Sequence, residues 1–191
     1  IVDDDIVSLS NLHRQILYRD IDLGIKKVFA ARKNLLELNP KIEISVIDER
    51  FSLENSLQII DKSDLIIDGT DNFESKALIC REAFKHFTPI IYGGLSQWEG
   101  QVCIFDPKLS SACFDCIFPK APDQNIEENC ADLGVIGPIV GVVGSLMASE
   151  AIKFLTCSGK VLLNNLLTYD SLHGEFQKFQ VEKLKDCPIC S

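Results

Sequence analysis

Two C-x-x-C pairs, Cys113/Cys116 and Cys187/Cys190, constrain this chain more than any other feature, because one shared metal would bring a mid-chain segment and the C-terminal residues to a single point. Two residues between the thiols let both sulfurs face one tetrahedral ion, and two such pairs complete a closed four-thiolate zinc site. Such a site is structural, pinning residues 187–191 to the segment around 113. A redox pair at one or both motifs is the competing reading. Of the other cysteines, Cys80, Cys103 and Cys157 sit among apolar residues and read as small core side chains. Cys130 lies in the polar stretch 127–132, just before a helix predicted to start near Gly134. The helix dipole would stabilise its thiolate and three acidic neighbours oppose this, so reactive and inert readings both stand.

Eight cysteines in a short secreted chain would imply a disulfide framework, but 191 residues with 46% apolar content can bury a core without one. A reducing, cytoplasmic setting fits better, and nothing near Ile1 resembles a signal peptide. One domain spanning residues 1–191 is expected. The net charge of −9 argues against a nucleic-acid surface while leaving room for a local basic pocket. Residues 133–149 carry no charge over about 17 positions, near the lower limit for a membrane span. Pro138 and the glycines at 134, 137, 141 and 144 lower their hydropathy, so a buried helix is expected and no span.

Elsewhere, apolar runs of strand and helix period alternate. Helices are predicted over 26–38, 53–60 and 73–87, and strands over 42–47, 64–68, 89–94 and 100–105. This alternation implies an α/β fold, a Rossmann-like, mostly parallel sheet with helices on both faces. Residues 107–132 show little periodicity and read as a long crossover loop. The glycine-rich helix follows, then a smaller antiparallel portion with strands over 161–169 and 176–181, and the cysteine-bearing tail.

Two polar clusters carry phosphate chemistry. After the acidic run Asp3-Asp4-Asp5 comes Ser10-Asn11-Leu12-His13-Arg14-Gln15, where Arg14 offers a planar fork suited to phosphate and Lys27 adds a point charge. Thr70-Asp71-Asn72 follows the strand 64–68, at the carboxyl edge where open α/β sheets bind ligands. An Asp beside an Asn there suits Mg²⁺ held together with phosphate oxygens. The plainer alternatives are a surface ion pair for Arg14 and a helix N-cap for Asp71.

In combination, Asp3-x-Asp5-x-Val7-x-x-Ser10-Asn11-Leu12-x-Arg14-Gln15, Lys27, Thr70-Asp71-Asn72, Glu99-Gly100-Gln101, the two cysteine pairs and Gly134-Val135-x-Gly137-Pro138 resemble the ThiF/MoeB family, bacterial relatives of ubiquitin-activating enzymes. The resemblance runs in order along essentially the whole chain. It implies an adenylyltransferase that activates the C-terminal glycine of a ubiquitin-like sulfur-carrier protein, ThiS-like or MoaD-like, for thiamine or molybdopterin biosynthesis. It also implies ATP held by Asp3 at the ribose and by Ser10, Asn11, Arg14 and Lys27 at the phosphates. Mg²⁺ would sit on Asp71 with Asn72 beside it, Zn²⁺ on Cys113, Cys116, Cys187 and Cys190, and the enzyme would be a homodimer. Cys130 matches the position of a cysteine that in ThiF-type members joins covalently to the carrier. Residues 129–130 and 134–141 lean toward ThiF. His13 stands where many members have Gln, with the flanking Asn and Arg retained. Members begin with a strand and a glycine-rich turn that cradle the nucleotide, and no G-x-G-x-x-G occurs here, so that segment is expected to be missing. A non-catalytic partner subunit and a nicotinamide-dependent dehydrogenase are the rival readings.

Overall fold

Lys27–Leu38 forms helix α1 from strong helix formers, and Pro40 ends it by disfavouring the helical conformation at Asn39. The computed structural model describes residues 1–119 and 134–191. They group into two units, Ile1–Ser52 and Leu53–Ser191. In the first, α1 buries Val28, Ala30, Ala31 and Asn34. The N-terminal segment divides its pairing. Val2 bridges Ile47 in parallel, while Ile6 bridges Lys26 antiparallel. Between the two arms of the second pairing run 3₁₀ turns at Leu9–Asn11 and Asp20–Asp22. Asp22 is fully buried and accepts from the Asn34 side chain at 2.8 Å and the Arg19 N–H at 3.0 Å, which ties this loop to α1. The Asn34 amide is the chief cause that holds the Asp22 carboxyl below its usual range.

The strand expected over 42–47 is reduced to that single bridge. A strand needs a continuous ladder, and the backbone bonds here are Ile1 N to Ser45 O at 2.8 Å, Ile47 N to Ile1 O at 2.9 Å and Asp3 N to Ile47 O at 3.3 Å. Residues 41–43 stay exposed.

The second unit begins with α2, Leu53–Ile60, which packs on α3, Phe73–Lys85. Five strands form one sheet in chain order: β1 Ile66–Asp68, β2 Ile90–Ser96, β3 Glu99–Phe105, β4 Asn165–Asp170 and β5 Glu175–Gln180. β1 and β2 are parallel and joined through α3, while every other pair is antiparallel. The antiparallel share is therefore larger than the sequence implies. Connection length is the reason: a parallel pair needs a crossover, whereas Gln97-Trp98 closes β2 onto β3 as a two-residue hairpin. Gln97 takes the positive φ of 37° that such a turn demands. β1 is also less enclosed than a strand buried on both faces, with Ile67 54% exposed.

Helix α5, Gly137–Leu155, crosses β2 and β3. Ile139, Val143, Met147 and Ala151 recur every fourth residue and pack on Ile91, Val102 and Ile104 to form the core. The helix lies so close that a Cβ on Gly100 would collide with Val143, and one on Gly93 with Met147. Its other face, including Gly141, Gly144, Ala148 and Ile152, is exposed. Among the described residues α5 is the one helix long and apolar enough to cross a membrane, with mean hydropathy 1.5. Within the expected crossover, Pro107–Leu109 forms a 3₁₀ turn and Phe114–Ile117 a short helix, α4. Residues 120–132 of that crossover lie outside the described residues. Cys80 and Cys103 are core residues as expected, but Cys157 is exposed. It follows α5 with φ 51°, turning the chain out of the helix, and its N–H reaches Phe154 O at 3.2 Å.

Candidate active site and metal centre

The cysteine pairs converge. Cys113 Sγ lies 3.8 Å from Cys116 Sγ and 3.5 Å from Cys187 Sγ, and Cys116 Sγ lies 3.4 Å from Cys190 Sγ. All four sulfurs fall within 4.8 Å of one another. A tetrahedron with metal–sulfur bonds of about 2.3 Å has sulfur–sulfur edges of roughly 3.8 Å, so this donor set fits zinc. A disulfide needs about 2.05 Å, so the four cysteines are free thiols in this structure. Burial pushes the Cys187 thiol up, but backbone N–H groups of Ile189 and Cys190 more than offset it and bring it down to about 7. Burial raises Cys113 far above its ordinary value and Cys190 to about 12. One easily ionised thiol among reluctant ones is a cluster that a divalent cation would convert to thiolates.

Helix α3 holds this centre in place. The Phe114 N–H donates to Cys80 Sγ at 3.4 Å, and Arg81 grips Asp115 through Nη2 at 2.5 Å and Nε at 3.4 Å. The first residue of the same helix, Phe73, packs edge-on against Phe114 and Phe118 at ring separations of 5.6 and 5.3 Å.

In the first unit, Asp3 and Lys27 come together. Lys27 Nζ lies 2.7 Å from Asp5 and 4.0 Å from Asp3, and its side chain is only 9% exposed. Asp3 in turn accepts the Asp5 N–H at 2.8 Å. Asn11, Ser10 and Arg14 share the 3₁₀ turn and its continuation: Asn11 Oδ1 accepts the Ser8 N–H at 3.2 Å, and Arg14 Nη1 donates to Ser10 O at 2.8 Å. Arg14 Nη1 also lies 2.7 Å from His13 Nε2, so the residue that departs from the family pattern contacts the guanidinium. Among the described residues, Arg14 pairs with Ser10 O and His13 and with no carboxylate.

Asp71 and Asn72 lie in the second unit, directly after β1. Asn72 is the N-cap of α3, accepting the Ser75 N–H at 2.8 Å, so the capping role considered for Asp71 falls to its neighbour. Asp71 is exposed, with the Asn72 amide 3.5 Å from its Oδ1. A solvent-facing carboxylate at the carboxyl end of a parallel strand fits Mg²⁺, which takes one or two carboxylates and completes its shell with phosphate and water. Cys130 lies outside the described residues.

Three residues to which the sequence assigned no role of their own form charge contacts here. Asp5 is the partner of Lys27. Asp68 and Lys76 are both buried, with Lys76 Nζ 3.4 Å from Asp68 Oδ2, 2.6 Å from Gly93 O and 5.1 Å from the Tyr92 ring centre. Burial pushes the Lys76 ammonium down, and Asp68 opposes that shift. The signal was present: Lys76, Ile79, Cys80 and Ala83 share one face of α3, and a lysine on a core face needs a partner.

The model of the ThiF family matches residues 1–189. The chain is 40% identical to a sulfur carrier protein adenylyltransferase of Thermus thermophilus over 100% of its own length and 72% of that protein. It is 40% identical to a probable molybdopterin-synthase adenylyltransferase of Pyropia yezoensis over 96% of the chain and 49% of that protein. It is 33% identical to the SAMP-activating enzyme E1 of Haloferax volcanii, covering 70% of it. The crystal structure of E. coli MccB with ATP superposes with a TM-score of 0.85 at 20% identity, over 100% of this chain and 58% of that one, a likeness of fold.

Proposed function

The chain belongs to the ThiF family, and from that membership we propose that it adenylates the C-terminal glycine carboxylate of a ubiquitin-like sulfur-carrier protein. The observation that carries this reading is the 40% identity, over the whole chain, to a sulfur carrier protein adenylyltransferase. Residues 1–191 are read as the adenylating domain. ATP would be held with its ribose at Asp3 and its phosphates at Ser10, Asn11, Arg14 and Lys27. Asp71 with Asn72 would hold Mg²⁺, which would supply positive charge at the phosphates. The carrier carboxylate, ionised at neutral pH, attacks the α-phosphorus directly and needs no general base. A carboxylate oxygen–phosphorus bond forms, the bond to pyrophosphate breaks, and an acyl-adenylate remains.

The chain's own contribution is alignment and charge complementarity. In this state Lys27 is held by Asp5, so binding phosphate involves exchange of one anion for another on the same ammonium. Zn²⁺ on the four cysteines is structural, since sulfur fills all four positions. A homodimer in a reducing cytoplasm completes the reading, with Cys130, by the family resemblance, as the candidate thiol for the later sulfur-transfer step. The molybdopterin-synthase relative supports a MoaD-like carrier, and the ThiF-like residues 134–141 support a ThiS-like one.

The test is carrier-dependent exchange of labelled pyrophosphate into ATP by the full-length gene product, with each carrier in turn. Arg14→Ala and Asp71→Ala are each expected to slow exchange by about 10²-fold or more. Near-normal exchange in both folded variants would sink the site assignment. Absence of exchange with either carrier, in folded zinc-loaded protein that binds no ATP, would replace the reading by a non-catalytic partner subunit.

A further inference from the structure

A buried ion pair is rarely there for stability, because well-packed apolar side chains of similar volume do as well or better. Asp68 and Lys76 are 3% and 6% exposed, and the contacts around them run in one direction. From Lys76 Nζ they pass to Asp68 Oδ2. The other carboxylate oxygen, Asp68 Oδ1, accepts both the Thr70 N–H at 2.9 Å and the Thr70 hydroxyl at 2.7 Å. Thr70 precedes Asp71, and Asn72 closes the turn by capping α3. Lys76 also anchors to Gly93 O in the middle of β2, so one ammonium joins the end of β1 and the centre of β2 to the first turn of α3. The Tyr92 ring lies alongside, its centre 5.1 Å from Lys76 Nζ.

We propose that Lys76 is a positioning residue: with Asp68 it locks the turn at residues 69–72 so that the Asp71 carboxylate is held where the magnesium–nucleotide meets it. The inference rests on the assignment of Asp71 as the cation's protein ligand, and it adds the group that orients that ligand. Lys76 itself touches no substrate. Partners of this kind set metal affinity through the ligand they hold, with typical losses of about 10–100-fold when they are removed.

Three variants and one control test it in the full-length protein. Lys76→Met leaves Asp68 buried without a partner and risks misfolding, so Lys76→Met/Asp68→Asn removes both charges while keeping an acceptor for Thr70. Lys76→Arg retains the charge. Folding is checked by circular dichroism and melting. Two readings follow: the Mg²⁺ concentration giving half-maximal pyrophosphate exchange, and Mn²⁺ binding in the presence of ATP by electron paramagnetic resonance, which needs no turnover. The folded double variant is expected to need about 10-fold more Mg²⁺ and to bind Mn²⁺ correspondingly more weakly. Lys76→Arg should stay within about 3-fold of wild type on both, the span of ordinary context dependence expected when the charge is kept. A folded double variant with wild-type Mg²⁺ and Mn²⁺ responses overturns the positioning role. Asp71→Ala in the same series separates the two claims. If it abolishes the metal response while the double variant is normal, only the role of Lys76 falls. If it leaves the metal response intact, the assignment of Asp71 falls and the positioning role with it.

Discussion

Removing the proposed zinc from the four-cysteine centre tests how the C-terminal tail is held. Cys113 and Cys187 are 74 positions apart, as are Cys116 and Cys190, so the centre closes a long loop. Treated as a cross-link of that length, it removes from the unfolded chain an entropy equivalent to about 4 kcal/mol. Apart from the cluster, the backbone bonds of the tail are local, such as Cys187 N to Leu184 O at 3.3 Å and Ser191 N to Cys187 O at 3.1 Å. The Leu184 N–H itself donates to Cys116 Sγ at 3.4 Å, so even that contact depends on the centre. For a chain of this size about 4 kcal/mol corresponds to a drop in melting temperature of roughly 8–16 °C. The assay is thermal unfolding with and without a strong chelator, paired with colorimetric measurement of released zinc. One zinc per chain is expected. Limited trypsin digestion should then open new cuts at Lys183 or Lys185 once the tail is freed. Stoichiometric zinc release with an unchanged melting temperature and digestion pattern would refute the cross-link argument. So would Cys190→Ser protein that retains wild-type zinc content.

Gly100→Ala should destabilise the second unit by about 1–3 kcal/mol through its collision with Val143. Adding Val143→Ala should recover part of that loss in urea unfolding, whereas simple additivity of the two changes would count against the contact. Asn34→Ala removes the main group that depresses the Asp22 carboxyl. A depressed carboxyl contributes stability that is complete above the ordinary value near 4 and is lost as pH falls through its folded value. The variant should therefore be less stable than wild type at pH 6–7, with the gap narrowing below about pH 4. A gap that stays constant with pH would show that packing, not charge, is what Asn34 supplies.

Where an element depends on its own residues, the sequence was readable. Helix α2 occupies the predicted 53–60, and α1 begins one residue later than expected and ends at Leu38, beside the proline that stops it. The four-cysteine cluster was legible because the two-residue spacing is itself what a tetrahedral metal would require, and the structure brings all four together. Asn72 and Asp71 were found as a pair, but which of them caps α3 was not, since either side chain could reach a free N–H at a helix start.

The non-local decisions were hidden. Strand 42–47 has the right composition, yet a strand exists only where a neighbouring backbone supplies a ladder, and along the described residues that neighbour is met near Ile1 and Val2. Cys157 sits among apolar residues in sequence but on the outside in space, because a left-handed residue after α5 turns the chain away. The sense of the sheet followed from a two-residue hairpin that the alternation of strand and helix did not reveal. The family and the cysteine centre could thus be read from residue identity and order alone. The tertiary structure decided that Lys76 meets Asp68 and that Lys27 meets Asp5, because a buried charge is set by whatever the fold brings within hydrogen-bond distance of it.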